Sequence, residues 1–149
     1  MDLILWRHAE AEDGVPDLDR ELTPRGIKQA EKVAAFLRQH LPKDARILVS
    51  PSARTRQTVA SLTDHYTLAP TIAPGASAQA VLQAARWADA KDTVLIVGHQ
   101  PTLGEVAAQL LGSRGSLSIK KGGLWWFSHR EREGTAQTTL RLAITPEFL

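Results

Sequence analysis

The chain alternates short apolar runs with longer stretches in which apolar residues recur at every third or fourth position. The first run predicts a buried strand over residues 2–7. Thr23-Pro24 is typical of a helix start, because a hydroxyl caps the first turn and proline suits the first helical position. Apolar residues then recur at helical spacing, which predicts a helix as far as about His40.

The same patterns predict the remaining elements in chain order. They are a strand over 46–49, a helix from Ser52 to about Tyr66, a short strand near 71–73, a helix over 78–88, a strand over 92–97, a helix from Pro101 to about Leu111, and strands over 124–128 and 136–143. Alternation of strands and helices is typical of a mostly parallel sheet covered on both faces. We therefore expect a single domain over 1–149, an α/β fold with a three-layer α/β/α sandwich. Its last two strands lack an intervening helix and predict an antiparallel edge.

Cationic and imidazole side chains follow three of the predicted strands. Arg7 and His8 come directly after the first strand, Arg54 follows the second, and His99 follows the strand over 92–97. The carboxyl ends of parallel strands meet at one edge of a sheet, so we expect these side chains to lie together. Arginine forks match phosphate oxygens, and the first turn of a helix adds N–H donors. The sequence predicts a pocket for a phosphoryl group.

The residue types also limit the chemistry. The chain has no cysteine, its five histidines form no HxxxH or HxH pair, and no Asp/Glu cluster has metal-ligand spacing. We therefore predict neither a metal site nor a cofactor. Neutral histidine is a competent nucleophile toward phosphorus. His8 suits this role because the neighbouring cation, Arg7, can stabilise the charge that develops on the phosphoryl oxygens.

Four motifs resemble those of a known family, in the same order. Leu5–Glu10 resembles the RHG signature of the histidine phosphatase, or phosphoglycerate-mutase-like, superfamily. Leu22–Ala30 is similar to its LTxxGxxQA helix, Val49–Thr58 to its SPxxRxxQT segment, and Val97–Pro101 to its second-histidine segment. The chain is short and leaves no room for insertions over the site. In its size and motifs it resembles the SixA-like phosphohistidine phosphatases.

The resemblance implies a phosphoglycerate-mutase-like fold and an enzyme that removes phosphate from phosphohistidine on a protein, such as a histidine phosphotransfer domain. It implies that His8 is the nucleophile and that Arg7 and Arg54 bind phosphate. It also implies that His99 donates a hydrogen bond to a phosphoryl oxygen. Arg20 matches an arginine that reaches the phosphate in the short members.

Two departures from the family pattern bear on the chemistry. Ala9 stands where the wider family has glycine, so the backbone there cannot depend on a conformation reserved for glycine. No acid lies between Tyr66 and Ala88, where ester-cleaving members carry their general acid. An imidazole leaving group, with a pKa of about 6.5 when free, needs less protonation than an alkoxide. The absence of an acid between Tyr66 and Ala88 therefore favours a substrate with a P–N bond. Asp13 or Glu105 could still supply a general acid from another part of the chain.

The distribution of charge along the chain limits the classes of partner that we expect. Seven acids fall within the first 21 residues, although the net charge is +2. An acidic loop beside the site argues against nucleic-acid binding. No apolar run of membrane-spanning length occurs, and the first residues lack the features of a signal peptide, so we expect a cytoplasmic protein without a membrane partner. We favour a monomer, but the sequence leaves the oligomeric state open.

Two other functions stay open at this stage. One is hydrolysis of small phosphate esters, and the other is binding of phosphohistidine without turnover. Lys120–Gly123 lacks the strand–loop–helix context of a phosphate loop. If the family topology holds, this segment lies near the site and can touch a protein substrate. Residues 112–149 otherwise carry no motif.

Overall fold

The computed structural model describes residues 1–149 and contains six strands and four α-helices. They are β1 (Asp2–Arg7), α1 (Pro24–His40), β2 (Arg46–Val49), α2 (Ala53–Ala60), β3 (Thr67–Leu68), α3 (Ala78–Ala85), β4 (Thr93–Gly98), α4 (Thr102–Leu110), β5 (Leu124–Arg132) and β6 (Thr135–Ile144). Three short 3-10 turns complete the chain, at Asp17–Asp19, Pro70–Ile72 and Pro146–Phe148.

All six strands form one sheet in the order β3-β2-β4-β1-β5-β6. The pairs β2–β3, β2–β4 and β1–β4 are parallel, whereas β1–β5 and β5–β6 are antiparallel. The predicted mostly parallel sheet with an antiparallel edge is confirmed. In this order β1 and β4 are central neighbours and β2 lies next to β4, so the carboxyl ends of these three strands meet.

The central strands are apolar on both faces because helices cover both sides of the sheet. On β1, Leu3 and Leu5 pack in a cluster with α3 and α4, whereas Ile4 and Trp6 pack in a second cluster with α1 and α2. Successive side chains of a strand point to opposite faces, so this alternation divides the core into two layers. The three-layer α/β/α sandwich is confirmed.

Hydroxyl caps fix the start of α1 and α2, two of the helices that border the carboxyl edge. The Thr23 hydroxyl accepts a hydrogen bond from the Gly26 N–H at 2.9 Å, and the Ser52 hydroxyl accepts one from the Thr55 N–H at 3.2 Å. The helix start predicted at Thr23-Pro24 is confirmed. Gly26 lets α1 pack closely against the segment after β1, since a β-carbon at this position would overlap the carbonyl oxygen of Glu10.

The predicted third strand near 71–73 is wrong. Those residues overlap a 3-10 turn that begins at Pro70, and the strand that pairs with β2 is instead Thr67–Leu68. The helix predicted to reach Tyr66 ends at Ala60. Polar residues follow it, and the Thr63 hydroxyl accepts a hydrogen bond from the His65 N–H, which competes with helical pairing.

The helix predicted over 78–88 ends three residues early, at Ala85. Arg86 adopts the left-handed conformation, and its N–H together with that of Trp87 bonds the carbonyls of the last turn. The final strands are longer than predicted, because β5 and β6 pair along nearly their whole lengths. None of the helices combines the length and the apolar character needed to cross a membrane.

Candidate active site

The sheet order brings the four predicted site residues to one edge. Arg7 ends β1, His8 follows it, His99 follows β4, and Arg54 lies in the first turn of α2 after β2. The ring centroids of His8 and His99 are 5.3 Å apart, and the rings are tilted by 56°. The expectation that these side chains cluster at the carboxyl ends of the strands agrees with the structure.

Backbone hydrogen bonds on both sides hold His8 in place. Its N–H donates to the Gly98 carbonyl of β4 at 3.0 Å, and its carbonyl accepts from the Gly122 N–H at 3.0 Å. The Nδ1 atom of its ring lies 2.7 Å from the Ala9 carbonyl oxygen. A carbonyl only accepts, so Nδ1 carries the proton of the neutral ring, and Nε2 keeps its lone pair. This is the tautomer that a nucleophilic Nε2 requires.

Ala9 itself has an ordinary backbone conformation. It is fully buried and lies outside the set of residues with positive φ, as expected for a position where glycine is replaced. Its N–H donates to the Thr58 hydroxyl at 3.1 Å, and the same hydroxyl donates to the Arg54 carbonyl at 2.8 Å. This pair of bonds fixes the segment after β1 against the turn of α2 that carries Arg54.

Burial keeps both site histidines neutral. His8 is 8% exposed and His99 is 4% exposed. Desolvation, followed by the charges of Arg54, Arg7 and Arg20, lowers the pKa of His8 to about 4. Desolvation, followed by the neighbouring His8 and Arg54, lowers the pKa of His99 to about 3. At neutral pH both rings are therefore uncharged in the free protein.

The ring of His99 has one partner and one free nitrogen. Its Nε2 lies 2.7 Å from the hydroxyl oxygen of Ser50, the residue after β2, and its Nδ1 is buried without a hydrogen-bond partner. When the Ser50 hydroxyl donates to Nε2, Nδ1 carries the ring proton and is a donor for an anion. Sequence reasoning missed Ser50, since a serine before proline is read first as a turn residue.

Unpartnered donors are concentrated at this edge. Only four buried side-chain nitrogen or oxygen atoms of the protein lack a partner, and three of them are Arg7 Nε, Arg54 Nε and His99 Nδ1. A buried donor without an acceptor costs about 1–3 kcal/mol. Three such donors in one place indicate a site built for a ligand that accepts hydrogen bonds, as phosphoryl oxygens do.

The guanidinium of Arg54 is held by Asp17, a residue that sequence reasoning treated as part of a solvated acidic loop. Arg54 Nη1 donates to the Asp17 carbonyl at 2.8 Å, and Nη2 donates to the Asp17 carboxylate at 3.1 Å. Arg20 Nη1 donates to the other carboxylate oxygen at 3.1 Å, so Asp17 brings Arg20 beside Arg54. These bonds lower the pKa of Asp17, which is therefore ionised at neutral pH and holds no proton to donate.

Two other acids named as candidates do not join the site. The Asp13 side chain is fully exposed, and its carboxylate lies 4.0 Å from Arg20 Nη2. Glu105 lies in the first turn of α4, and its side chain forms no hydrogen bond with the site residues. The carboxylate that accepts hydrogen bonds from the site arginines is Asp17. No group of three or more His, Cys, Asp or Glu side chains is arranged to hold a metal ion.

Comparison with known proteins identifies relatives of this chain. The model of the histidine phosphatase superfamily (branch 1) matches residues 3–77. An uncharacterized protein of Picosynechococcus is 38% identical over 136 residues, which span 83% of this chain and 82% of that protein. A phosphohistidine phosphatase SixA homolog of Haemophilus influenzae is 33% identical over 135 residues, which span 80% of this chain and 82% of that protein.

Solved structures share the fold. The protein histidine phosphatase SixA complexed with tungstate aligns with a TM-score of 0.83 and 22% identity over 99% of both chains. A variant of phosphoserine phosphatase from Entamoeba histolytica, in complex with phosphoserine, aligns with a TM-score of 0.74 and 20% identity over 99% of this chain and 98% of that chain. At this level of identity the likeness shows the fold, which is phosphoglycerate-mutase-like.

The lowered pKa values of the two histidines predict that stability depends on pH. An unfolded histidine has a pKa of about 6.5, so the unfolded chain binds protons that native His8 and His99 reject. The free energy of unfolding should therefore fall as the pH decreases from about 6.5 toward 4. Each histidine contributes a slope of up to ~1.4 kcal/mol per pH unit.

Urea unfolding at several pH values in this window measures the slope. His8→Gln and His99→Gln should each flatten it, whereas Lys43→Gln, an exposed change far from the site, should not. Equal slopes in all four proteins would show that the two rings titrate normally.

The Asp17 contact predicts an effect on anion binding. Asp17→Asn keeps an oxygen that accepts from Arg54 but removes a negative charge from the mouth of the site. Inorganic phosphate or tungstate should then bind about three- to tenfold more tightly, as measured by calorimetry. Asp19→Asn is the matched control, since this residue is exposed on the same loop and forms no bond with the site arginines. Equal affinities of the two variants would contradict the assignment.

Proposed function

Because this chain belongs to the histidine phosphatase superfamily, we propose that it is a phosphohistidine phosphatase that acts on a phosphorylated protein through a phospho-His8 intermediate. Membership of this family, together with the named relative, indicates a phosphatase of the histidine-phosphatase type. The proposal adds the substrate, the order of steps and the roles of individual residues. The observation that carries it is the state of His8, which is buried, neutral and protonated on Nδ1, with a free lone pair on Nε2.

In the first step, the Nε2 lone pair of His8 attacks phosphorus and the bond from phosphorus to the substrate nitrogen breaks. Arg7, Arg54 and Arg20 stabilise the negative charge on the phosphoryl oxygens, and His99 Nδ1–H donates to one of them. In the second step, water attacks phospho-His8, inorganic phosphate leaves, and neutral His8 is restored. The positive charge comes from arginines, so the proposed reaction requires no metal ion.

The leaving group explains why the site works without a dedicated acid. When the second ring nitrogen of phosphohistidine carries a proton, the substrate leaves as neutral imidazole and takes no proton in the transition state. A phosphate ester would leave as an alkoxide and would need a proton donor. The acid in contact with the site, Asp17, is ionised and paired with two arginines. This electrostatic setting favours P–N cleavage over P–O cleavage.

The relatives support the proposal from another direction. The Haemophilus influenzae relative carries the name phosphohistidine phosphatase SixA homolog, and it spans four fifths of this chain. A SixA structure with the same fold holds tungstate, an oxyanion with the tetrahedral shape of phosphate. We infer an equivalent oxyanion site among Arg7, Arg54 and His99 of this chain, where the unpartnered donors lie.

The test compares two substrates in the presence of EDTA: a phosphorylated histidine phosphotransfer domain and an aryl phosphate. Phosphate release from the phosphoprotein should exceed release from the ester. His8→Ala should lower kcat for the phosphoprotein at least about 1000-fold, because it removes the nucleophile. His65→Ala, which changes an exposed histidine, is the control and should retain full activity.

Three outcomes would contradict the proposal. Faster cleavage of the aryl phosphate would show that the protein is a phosphomonoesterase with an acid outside the groups described. Retention of the phosphoprotein without turnover would show a binding module. Loss of all activity in EDTA, restored by a divalent metal, would show that the arginines are insufficient.

A further inference from the structure

A cationic groove adjoins the active site at Arg7. It has a volume of about 670 Å³ and lies between the first half of α1, the segment 118–121 and the carboxyl-terminal turn. Arg7 belongs to both the groove and the phosphoryl site, and its Nη1 donates to the Ile119 carbonyl at 2.9 Å. A molecule in this groove would therefore contact a guanidinium that also faces the proposed reaction centre.

The groove holds more positive charge than the protein as a whole. Six cationic side chains line it, and they are Arg7, Arg25, Lys28, Lys32, Lys120 and Lys121. Against two carboxylates, they give the groove a net charge of +4, whereas the entire chain has a net charge of +2. One carboxylate, Glu10, already accepts a hydrogen bond from the Thr23 hydroxyl at 2.8 Å.

Five of these six cations have no partner within the protein. Apart from Arg7, all five are exposed, form no ion pair within 4.0 Å and donate no side-chain hydrogen bond. Elsewhere, arginines near carboxylates are paired, as Arg46 is with Asp92 at 2.7 Å. On α1, Arg25, Lys28 and Lys32 are spaced to lie along one face. The unpaired charges therefore form a continuous surface that an anionic partner can neutralise.

The charges around the groove favour a protein over other anions. No hydrophobic or aromatic side chain lines it, so it offers no stacking surface for a nucleobase. A long nucleic-acid backbone crossing the site would meet the acidic loop, in which Asp17 contacts Arg54. The same loop exposes two apolar side chains, Val15 at 96% and Leu18 at 48%. A folded partner with separate acidic and apolar patches matches both the groove and this loop.

We propose that this basic groove docks an acidic segment of the phosphoprotein substrate, in which carboxylates flank the phosphohistidine. This inference rests on the proposed function for the identity of the substrate, but the docking itself is independent of turnover. Carboxylates in the groove would steer the partner toward the site and hold its phosphorylated ring above His8. The specificity of an open site would then come from charge beside the reaction centre.

The test uses synthetic peptides that contain one histidine flanked by glutamates, by glutamines or by lysines. Binding of the unphosphorylated peptides is followed by fluorescence anisotropy at about 20 mM and about 200 mM salt. The glutamate peptide should bind at least about tenfold more tightly than the glutamine peptide at low salt, and the difference should shrink at high salt.

Charge reversal tests the groove directly. Lys28→Glu/Lys32→Glu should abolish the preference for glutamate and should bind the lysine peptide more tightly than the wild-type protein does. Lys43→Glu/Lys91→Glu makes the same change in net charge at the opposite edge of the sheet, and it should keep the wild-type preference. If both double variants lost the preference for glutamate equally, the preference would come from the net charge of the protein and not from the groove. That result would overturn the proposal.

Phosphorylated forms of the same peptides connect docking with catalysis. The ratio of kcat/KM for the glutamate peptide to kcat/KM for free phosphohistidine should fall at least about tenfold in Lys28→Glu/Lys32→Glu. A normal binding preference without turnover of any phosphohistidine compound would refute the proposed function and leave the groove assignment intact. An oligonucleotide that competes more strongly than the glutamate peptide would show a nucleic-acid surface instead and would overturn the docking proposal.

Discussion

The hydrogen bond from His8 Nδ1–H to the Ala9 carbonyl is the constraint on which the chemistry of this edge depends. It fixes the tautomer and the orientation of the ring, so Nε2 keeps a free lone pair. Burial and the surrounding arginines then keep that lone pair unprotonated at neutral pH. The bond exists because Ala9 is itself anchored to Thr58, and because the His8 backbone is bonded to Gly98 on β4 and to Gly122. These contacts thus hold a neutral ring with a free Nε2 lone pair, which is the state that the proposed nucleophile requires.

Two groups of charged residues lie near this ring. In the first group, Asp17 bridges Arg20 and Arg54 and holds their guanidinium groups at the site. In the second group, Arg7, which donates to the Ile119 carbonyl, also lines a groove whose five other cations form no ion pair. In the proposed function, the arginines held by Asp17 stabilise the phosphoryl group, and the groove binds the protein that carries it. Burial contributes most to keeping the two histidines neutral, and the arginines that we propose to bind the phosphoryl group add to this effect.

The parts of this arrangement that follow from local rules could be predicted from the sequence. Alternating strands and helices, the cap at Thr23 and the rule that ligands lie at the carboxyl ends of strands were sufficient to place His8, Arg54 and His99 together. What depends on contacts between distant segments could not be predicted. Asp17 looked like one acid among many until the chain placed it on Arg54, 37 residues away. The strand at Thr67–Leu68 is too short for a pattern and exists only through pairing with β2.

A covalent intermediate on one atom, Nε2 of His8, is the central prediction for this protein. The protein would be mixed rapidly with a phosphohistidine-bearing phosphotransfer domain, quenched in alkali to preserve phosphoramidates, and examined by peptide mass spectrometry and phosphorus NMR. The account predicts phosphate on Nε2 of His8, formed and lost at rates compatible with turnover. Phosphate on Nδ1, phosphate on another residue, or turnover without any phosphoenzyme would contradict it.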